Sequence, residues 1–201
     1  MAGPAGHRSW VRHAPNIVSA ARIAAAPLLV YFALRGNEAG FTWVLVPALL
    51  SDIVDGLLAR ALQLQSKLGA LLDSIGDALL LFTSIFGIWV FHAEVITDYR
   101  AWCYTMVVAW LAEAAVAFVR YGRLSSFHTY VSKVAGYLLG IFVGVLFVFG
   151  FHPWLLYAAV ATSVLGNLEE LVLLRLLPEW RADVRGVYWV LRERRGETAS
   201  P

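Results

Sequence analysis

The feature that most constrains this chain is its division into apolar blocks, each about as long as a bilayer is thick. Six can be marked, at roughly 16–34, 41–61, 69–92, 101–121, 132–150 and 153–175. A hydrocarbon core about 30 Å thick needs ~20 residues of helix to cross it, and each block is close to that length. Short polar connections separate them: "RGNEAG", "QLQSK", "AEVITDYR", "GRLSSFHTY" and the corner "FHP". Apolar types make up 60% of the 201 residues, above the roughly 45–50% usual for soluble domains. The expectation is a single all-α integral membrane domain over 1–201, with six transmembrane helices. Pro27 and Pro47 fall inside spans, where neighbouring helices tolerate a kink.

Basic residues set the expected orientation. If six helices alternate, 13 of the 16 Lys and Arg fall on one side. They are Arg8, Arg12, Arg60, Lys67, Arg120, Arg123, Lys133, Arg175, Arg181, Arg185, Arg192, Arg194 and Arg195. Arg35 and Arg100 lie on the other side and Arg22 lies within the first span. Positively charged loops stay in the cytoplasm, so both termini are expected there, in the cell's inner membrane. The tail "HRSWVRHAPN" and a segment at about 179–194 have the pattern of amphipathic juxtamembrane helices. In the latter, Trp180, Val184, Val187, Tyr188 and Leu191 recur at helical spacing. No apolar signal-peptide core precedes the first block, so that helix is expected to be retained. The net charge of +2 gives no reason to expect nucleic acid as a partner. The single cysteine, Cys103, forms no internal disulfide.

Against this apolar background, four carboxylates stand out in "SDIVDGLLARALQLQSKLGALLDSIGD". Asp52 and Asp55 are three apart at the expected cytoplasmic end of the second span. Asp73 and Asp77 are four apart in the first turns of the third. Each pair shares a helix face, and an antiparallel turn brings the pairs to similar depth. Carboxylates in a membrane segment cost a few kcal/mol each on insertion scales and mark function by default. Divalent cations resolve their mutual repulsion. An all-oxygen donor set suits Mg²⁺, Mn²⁺ or Ca²⁺ rather than zinc, and two bridged ions leave positions open for phosphate oxygens. The alternatives are that basic groups pair with these aspartates, or that they line the acidic site of a divalent-cation transporter. A transporter site is expected nearer the midplane, with internal repeats. Gly56 and Ala59 continue the Asp52/Asp55 face without bulk, Gly69 does the same at the entrance of the third span, and Arg60 supplies a planar donor for phosphate.

Read in full, residues 52 to 77 are D-I-V-D-G-L-L-A-R, eight residues, then G-A-L-L-D-S-I-G-D. This resembles the complete signature of the CDP-alcohol phosphotransferase family, with Asp52, Asp55, Gly56, Ala59, Arg60, Gly69, Asp73 and Asp77 at its fixed positions. "PNIVSAARIAAAP", carrying Pro15, Asn16, Arg22 and Pro27, resembles that family's first helix. The resemblance implies transfer of a phosphatidyl group from a CDP-linked lipid, usually CDP-diacylglycerol, to an alcohol, with release of CMP. It implies Mg²⁺ or Mn²⁺, two ions, on Asp52, Asp55, Asp73 and Asp77. Asp77 would also accept the proton of the attacking hydroxyl. Asp52, Asp55, Gly56, Ala59, Arg60 and Gly69 would hold the CDP portion. It further implies a homodimer among membrane lipids. Gly136, Gly140 and Gly144, four apart, form a close-packing face for a dimer or for internal packing.

The acceptor is read from the second half. Arg120, His128 and Lys133, with Arg123 in the loop, gather at the expected cytoplasmic end of spans four and five. Such a group suits a phosphate on the acceptor. The expectation is glycerol 3-phosphate, with inositol phosphate or another polar alcohol as the alternative. Ser74 after Asp73 resembles inositol- and serine-transferring members, where glycerophosphate enzymes more often show proline, and Ala78 follows Asp77 where many relatives have Lys or Arg; these departures leave the acceptor open. Glu113, mid-span, either orients a cavity arginine, with Arg120 and Arg22 as candidates, or forms a structural intramembrane ion pair. Glu169 and Glu170 receive no role.

Overall fold

A computed structural model of the chain describes residues 7–62, 67–123, 127, 129–181 and 184–196, with side chains described from 19 to 51 and from 71 onward. Every regular element among them is helical. The order is α1 (His7–Leu34), α2 (Glu38–Leu62), α3 (Lys67–Phe91), α4 (Ala93–Asp98), α5 (Arg100–Tyr121), α6 (Tyr130–Phe149), α7 (Pro153–Leu176) and α8 (Val187–Arg194). Among the described residues, four helical stretches are long and apolar enough to cross a membrane: Leu71–Phe91, Arg100–Tyr121, Tyr130–Phe149 and Pro153–Leu176. Ser19–Leu34 and Glu38–Ser51 are shorter apolar stretches. Many large apolar side chains on these helices are exposed, among them Trp102, Val108, Trp110, Phe118 and Val119 along α5. Apolar surface this extensive needs lipid or protein to cover it, as expected of a membrane protein.

Three local expectations are corrected. The tail and the first span are not separate elements: α1 runs unbroken from His7, carrying Pro15 and Pro27 within it. The connection after the third span contains a short helix, α4, with Val95 buried beneath it. The C-terminal amphipathic helix does not begin at 179. Pro178 follows the end of α7, where its ring and missing N–H prevent helix continuation. Residues 177–181 and 184–186 are non-helical, and α8 starts only after Gly186.

The chain forms two compact units, one of residues 1–97 with 147–150, the other of 98–146 with 151–201. In the first, α1 packs along both α2 and α3, which touch each other more sparingly. The buried residues recur every three or four positions: Ser19, Arg22, Ala26, Leu29 and Ala33 on α1; Phe41, Leu45 and Ala48 on α2; Gly76, Leu80, Thr83, Ser84 and Gly87 on α3. That period is the one face of a helix turned to its neighbours. Aromatic and backbone shapes fit closely here. A methyl at Gly87 would overlap the Phe41 ring, and Phe41 packs on Phe91 and Phe147 with ring centroids 5.5 and 5.0 Å apart. The buried Thr83 hydroxyl donates to the Leu79 carbonyl at 2.8 Å, so the helix satisfies its own polar group.

In the second unit α5 packs against α7 and α7 against α8. Ala117, Phe127, Leu173, Leu174, Leu177, Val184 and Val190 form its buried cluster. Two acidic residues on α7 secure neighbouring segments. Glu170 accepts the Ser132 hydroxyl of α6 at 2.6 Å. Glu169 accepts the backbone N–H of Val187, the first residue of α8, at 3.1 Å. Gly166 lets α6 approach, since a methyl there would lie 3.4 Å from the Ser132 Cα.

Candidate active site

The eight signature positions fall on two consecutive helices of the first unit. Asp52, Asp55, Gly56, Ala59 and Arg60 lie in the last turns of α2, and Gly69, Asp73 and Asp77 in the first turns of α3. The side chains of Asp52, Asp55, Arg60 and their neighbours up to residue 70 lie outside the described residues. Asp73 and Asp77 are described, and they meet a residue from a third helix. Arg22 of α1 donates through Nη2 to Asp73 Oδ1 at 2.6 Å and through Nη1 to Asp77 Oδ1. One guanidinium thus spans both carboxylates, a use of the planar fork that an ammonium could not copy.

The two sides of this contact differ in exposure. The Arg22 side chain is 1% exposed, whereas those of Asp73 and Asp77 are 47% and 50% exposed. The cation is enclosed between helices while the carboxylates remain open to a ligand. At Gly76 α3 lies close against α1. A methyl at that position would lie 3.5 Å from Arg22 Cβ and 3.6 Å from the Ser19 carbonyl oxygen, so α1 passes directly over the turn that carries the two aspartates.

From the sequence, metal ions are expected to neutralise the carboxylates, and Glu113 is a candidate partner for Arg22. The structure supplies one positive charge to the Asp73/Asp77 pair from within the protein. The donor set still suits a hard divalent cation, because it is made of carboxylate oxygens and half of each described carboxylate surface is open. No group of three or more His, Cys, Asp or Glu converges as a metal site among the described residues.

The expected acceptor cluster lies in the second unit. Arg120 Nη2 donates to the Leu177 carbonyl at 3.1 Å, and its guanidinium lies 5.7 Å from the Tyr121 ring centre. Lys133 is exposed near the start of α6, with Nζ 5.8 Å from the Tyr130 ring centre. Arg123 stacks 5.0 Å from the Trp180 ring centre. His128 lies outside the described residues. Sequence reasoning missed Glu169, Glu170 and Ser132 as anchoring residues. The available signal was the pair of acids inside an apolar helix, since buried carboxylates demand partners.

Comparison with known proteins follows the same residues. The family model described as CDP-alcohol phosphatidyltransferase matches residues 12–165. A putative cardiolipin synthase of Mycobacterium tuberculosis is 31% identical over 188 residues, covering 82% of this chain and 86% of that protein. A CDP-diacylglycerol–glycerol-3-phosphate 3-phosphatidyltransferase of Aquifex aeolicus is 31% identical over 80 residues, 40% of this chain and 45% of that protein. A CDP-diacylglycerol–inositol 3-phosphatidyltransferase of Saccharomyces cerevisiae is 31% identical over 99 residues, 49% of this chain and 40% of that protein. No solved structure matches.

Proposed function

This chain belongs to the CDP-alcohol phosphatidyltransferase family, and on that premise we propose that it makes phospholipid by transferring a phosphatidyl group from CDP-diacylglycerol to an acceptor that carries a glycerol phosphate. The observation that carries this reading is the open Asp73/Asp77 pair, set side by side on α3 within a complete eight-position signature. The acceptor oxygen forms a bond to the β-phosphorus of the CDP-lipid. The bond from that phosphorus to CMP breaks, and CMP leaves with the electron pair. Asp77 takes the proton of the attacking hydroxyl. Gly56, Ala59, Arg60 and Gly69 hold the CDP portion with Asp52 and Asp55. Asp52, Asp55, Asp73 and Asp77 would hold two Mg²⁺ or Mn²⁺ ions, whose charge would neutralise the pyrophosphate and stabilise the leaving group.

The acceptor reading has two sources of support. Relatives are named for glycerol 3-phosphate and for cardiolipin. Cardiolipin carries two phosphatidyl groups on one glycerol, so a CMP-releasing route to it needs phosphatidylglycerol as acceptor. Both acceptors present a glycerol hydroxyl near one phosphate. Arg120, His128 and Lys133 would bind that phosphate. Inositol phosphate is the alternative, supported by the inositol-named relative.

We place all six long helices across the membrane. α1 and α2 have 28 and 25 residues, enough at ~1.5 Å per residue to exceed a 30 Å core. The one-sided arrangement of basic residues puts both termini and the aspartates on the cytoplasmic side of the inner membrane. The deciding experiment is CMP release from CDP-diacylglycerol by the purified chain in detergent, with MgCl₂ or MnCl₂. Glycerol 3-phosphate, phosphatidylglycerol, inositol phosphate, free inositol, serine and choline are compared as acceptors. Metal-dependent CMP release with a glycerol phosphate is expected. Release only with an unphosphorylated alcohol would refute the acceptor, and no release with any would refute the reaction.

A further inference from the structure

We propose that Arg22 is a positioning residue of the transfer reaction: a counter-cation built into α1 that sets the orientation of Asp73 and Asp77. This rests on the proposed function, and it adds a third helix and a residue outside the eight-position signature to the working site.

Four observations carry it. Arg22 uses two different nitrogens for two different carboxylates, at 2.6 Å for Asp73 and in direct contact for Asp77. Its side chain is enclosed, at 1% exposure, so its direction is fixed by packing and not by solvent. It lies on the buried stripe that runs through Ser19, Arg22 and Ala26 and turns toward α3. At Gly76, between the two aspartates, α3 lies against α1, with Arg22 Cβ 3.5 Å from where a Cβ would stand.

The chemistry follows from these contacts. Two carboxylates one helical turn apart repel, and each would otherwise rotate toward water. A guanidinium bridging them removes much of that repulsion and fixes one oxygen of each. Asp77 then meets the acceptor hydroxyl in one orientation, and Asp73 faces its ligand in one orientation. The charge and the fork are separable contributions. Lysine at this position keeps the charge and loses the fork. Methionine keeps the approximate length and loses both.

The experiment compares the full-length wild type, Arg22→Lys and Arg22→Met in detergent. Two measurements are made on each: the rise in Tm on adding MnCl₂, and kcat and KM for CDP-diacylglycerol from CMP release. In Arg22→Met the repulsion returns, so the metal-free protein is less stable. Mn²⁺ relieves that repulsion, and the Mn²⁺-induced rise in Tm exceeds that of the wild type. Arg22→Lys shows a wild-type Mn²⁺ response. In both variants kcat falls by about 10²-fold, as small misplacements of reacting groups do, while KM for the CDP-lipid changes little. A residue needed only for helix packing would lower Tm equally with and without Mn²⁺. That result, or kcat within twofold of wild type in both variants, overturns the proposal. Should Arg22→Met not accumulate folded, Arg22→Lys decides alone: reduced kcat at unchanged KM supports the proposal, and unchanged kcat overturns it. A wild type showing neither Mn²⁺ response nor CMP release would overturn the proposed function together with this inference. A responsive wild type matched by both variants would overturn the inference alone.

Discussion

Gly76 offers a test in which substitutions at a single position are expected to give opposite outcomes. It is buried on α3 between Asp73 and Asp77, facing α1. A methyl placed there would lie 3.5 Å from Arg22 Cβ, 3.6 Å from the Ser19 carbonyl oxygen and 3.9 Å from Ile23 Cγ1. All three are ordinary van der Waals separations, so alanine fits without displacing α1. Alanine also restricts the unfolded chain and is worth about 0.5–1 kcal/mol over glycine in a helix interior. Gly76→Ala should therefore leave CMP release near wild type and hold or raise Tm. Leucine adds three further carbons into a contact already closed at the first. Overpacking of this kind costs about 1–3 kcal/mol. Relief comes by moving α1, which carries Arg22 away from the aspartates, and misalignment of reacting groups can cost about 10²-fold in rate. Gly76→Leu should thus lower kcat far more than its fall in Tm would suggest. The assay is initial-rate CMP release beside thermal unfolding on the same detergent preparations. Wild-type kcat in Gly76→Leu, or loss of activity in Gly76→Ala, would refute the reasoning.

Four further outcomes are expected. Asp77→Asn should lower kcat by about 10²–10⁴-fold, the usual cost of losing a general base, while calorimetry shows CDP-lipid binding largely kept. Asp52→Ala and Asp73→Ala should each lose metal-dependent binding of the CDP-lipid; unchanged calorimetric titrations in both would remove the metal site. Lys133→Ala and Arg120→Ala should raise the acceptor KM by tens-fold, from a loss of about 2–5 kcal/mol per charged partner of a desolvated phosphate, with KM for the CDP-lipid unchanged; silence in both variants would leave these cations as topology determinants. Gly186→Ala should loosen α8. Its φ of +150° is a backbone state that side chains avoid, and a methyl would sit 2.7 Å from the Glu169 oxygen that holds Val187. Faster proteolysis around residues 184–196 with an unchanged core would report it.

Much of the membrane character and the family were already legible along the chain. Apolar block length is a one-dimensional quantity, and it located six long helices to within a few residues except where α1 begins. Spacings of three and four residues put Asp52 with Asp55, and Asp73 with Asp77, on shared faces, because helical periodicity is local. The signature between them named the family that the match over residues 12–165 bears out. At 179–194 the hydrophobic period predicts a helix eight residues longer than the one that forms at Val187–Arg194. The period records which side chains face inward; it does not require the backbone to be helical throughout.

What only the tertiary structure decided is which charges meet. Arg22 is 51 residues from Asp73 and 55 from Asp77, and no local pattern connects them. In the sequence it is one cation in an apolar span, with Glu113 as eligible a partner as any aspartate. Its choice depends on the rotation of α1 about its own axis, and that rotation is set by packing along the whole stripe from Ser19 to Ala33. The same holds for Glu169 and Glu170, adjacent in sequence but assigned to different partners, the N–H of Val187 and the hydroxyl of Ser132. A sequence states the length and faces of each helix. The pairing of faces is a property of all the helices at once, because each contact is chosen by the fit of its neighbours.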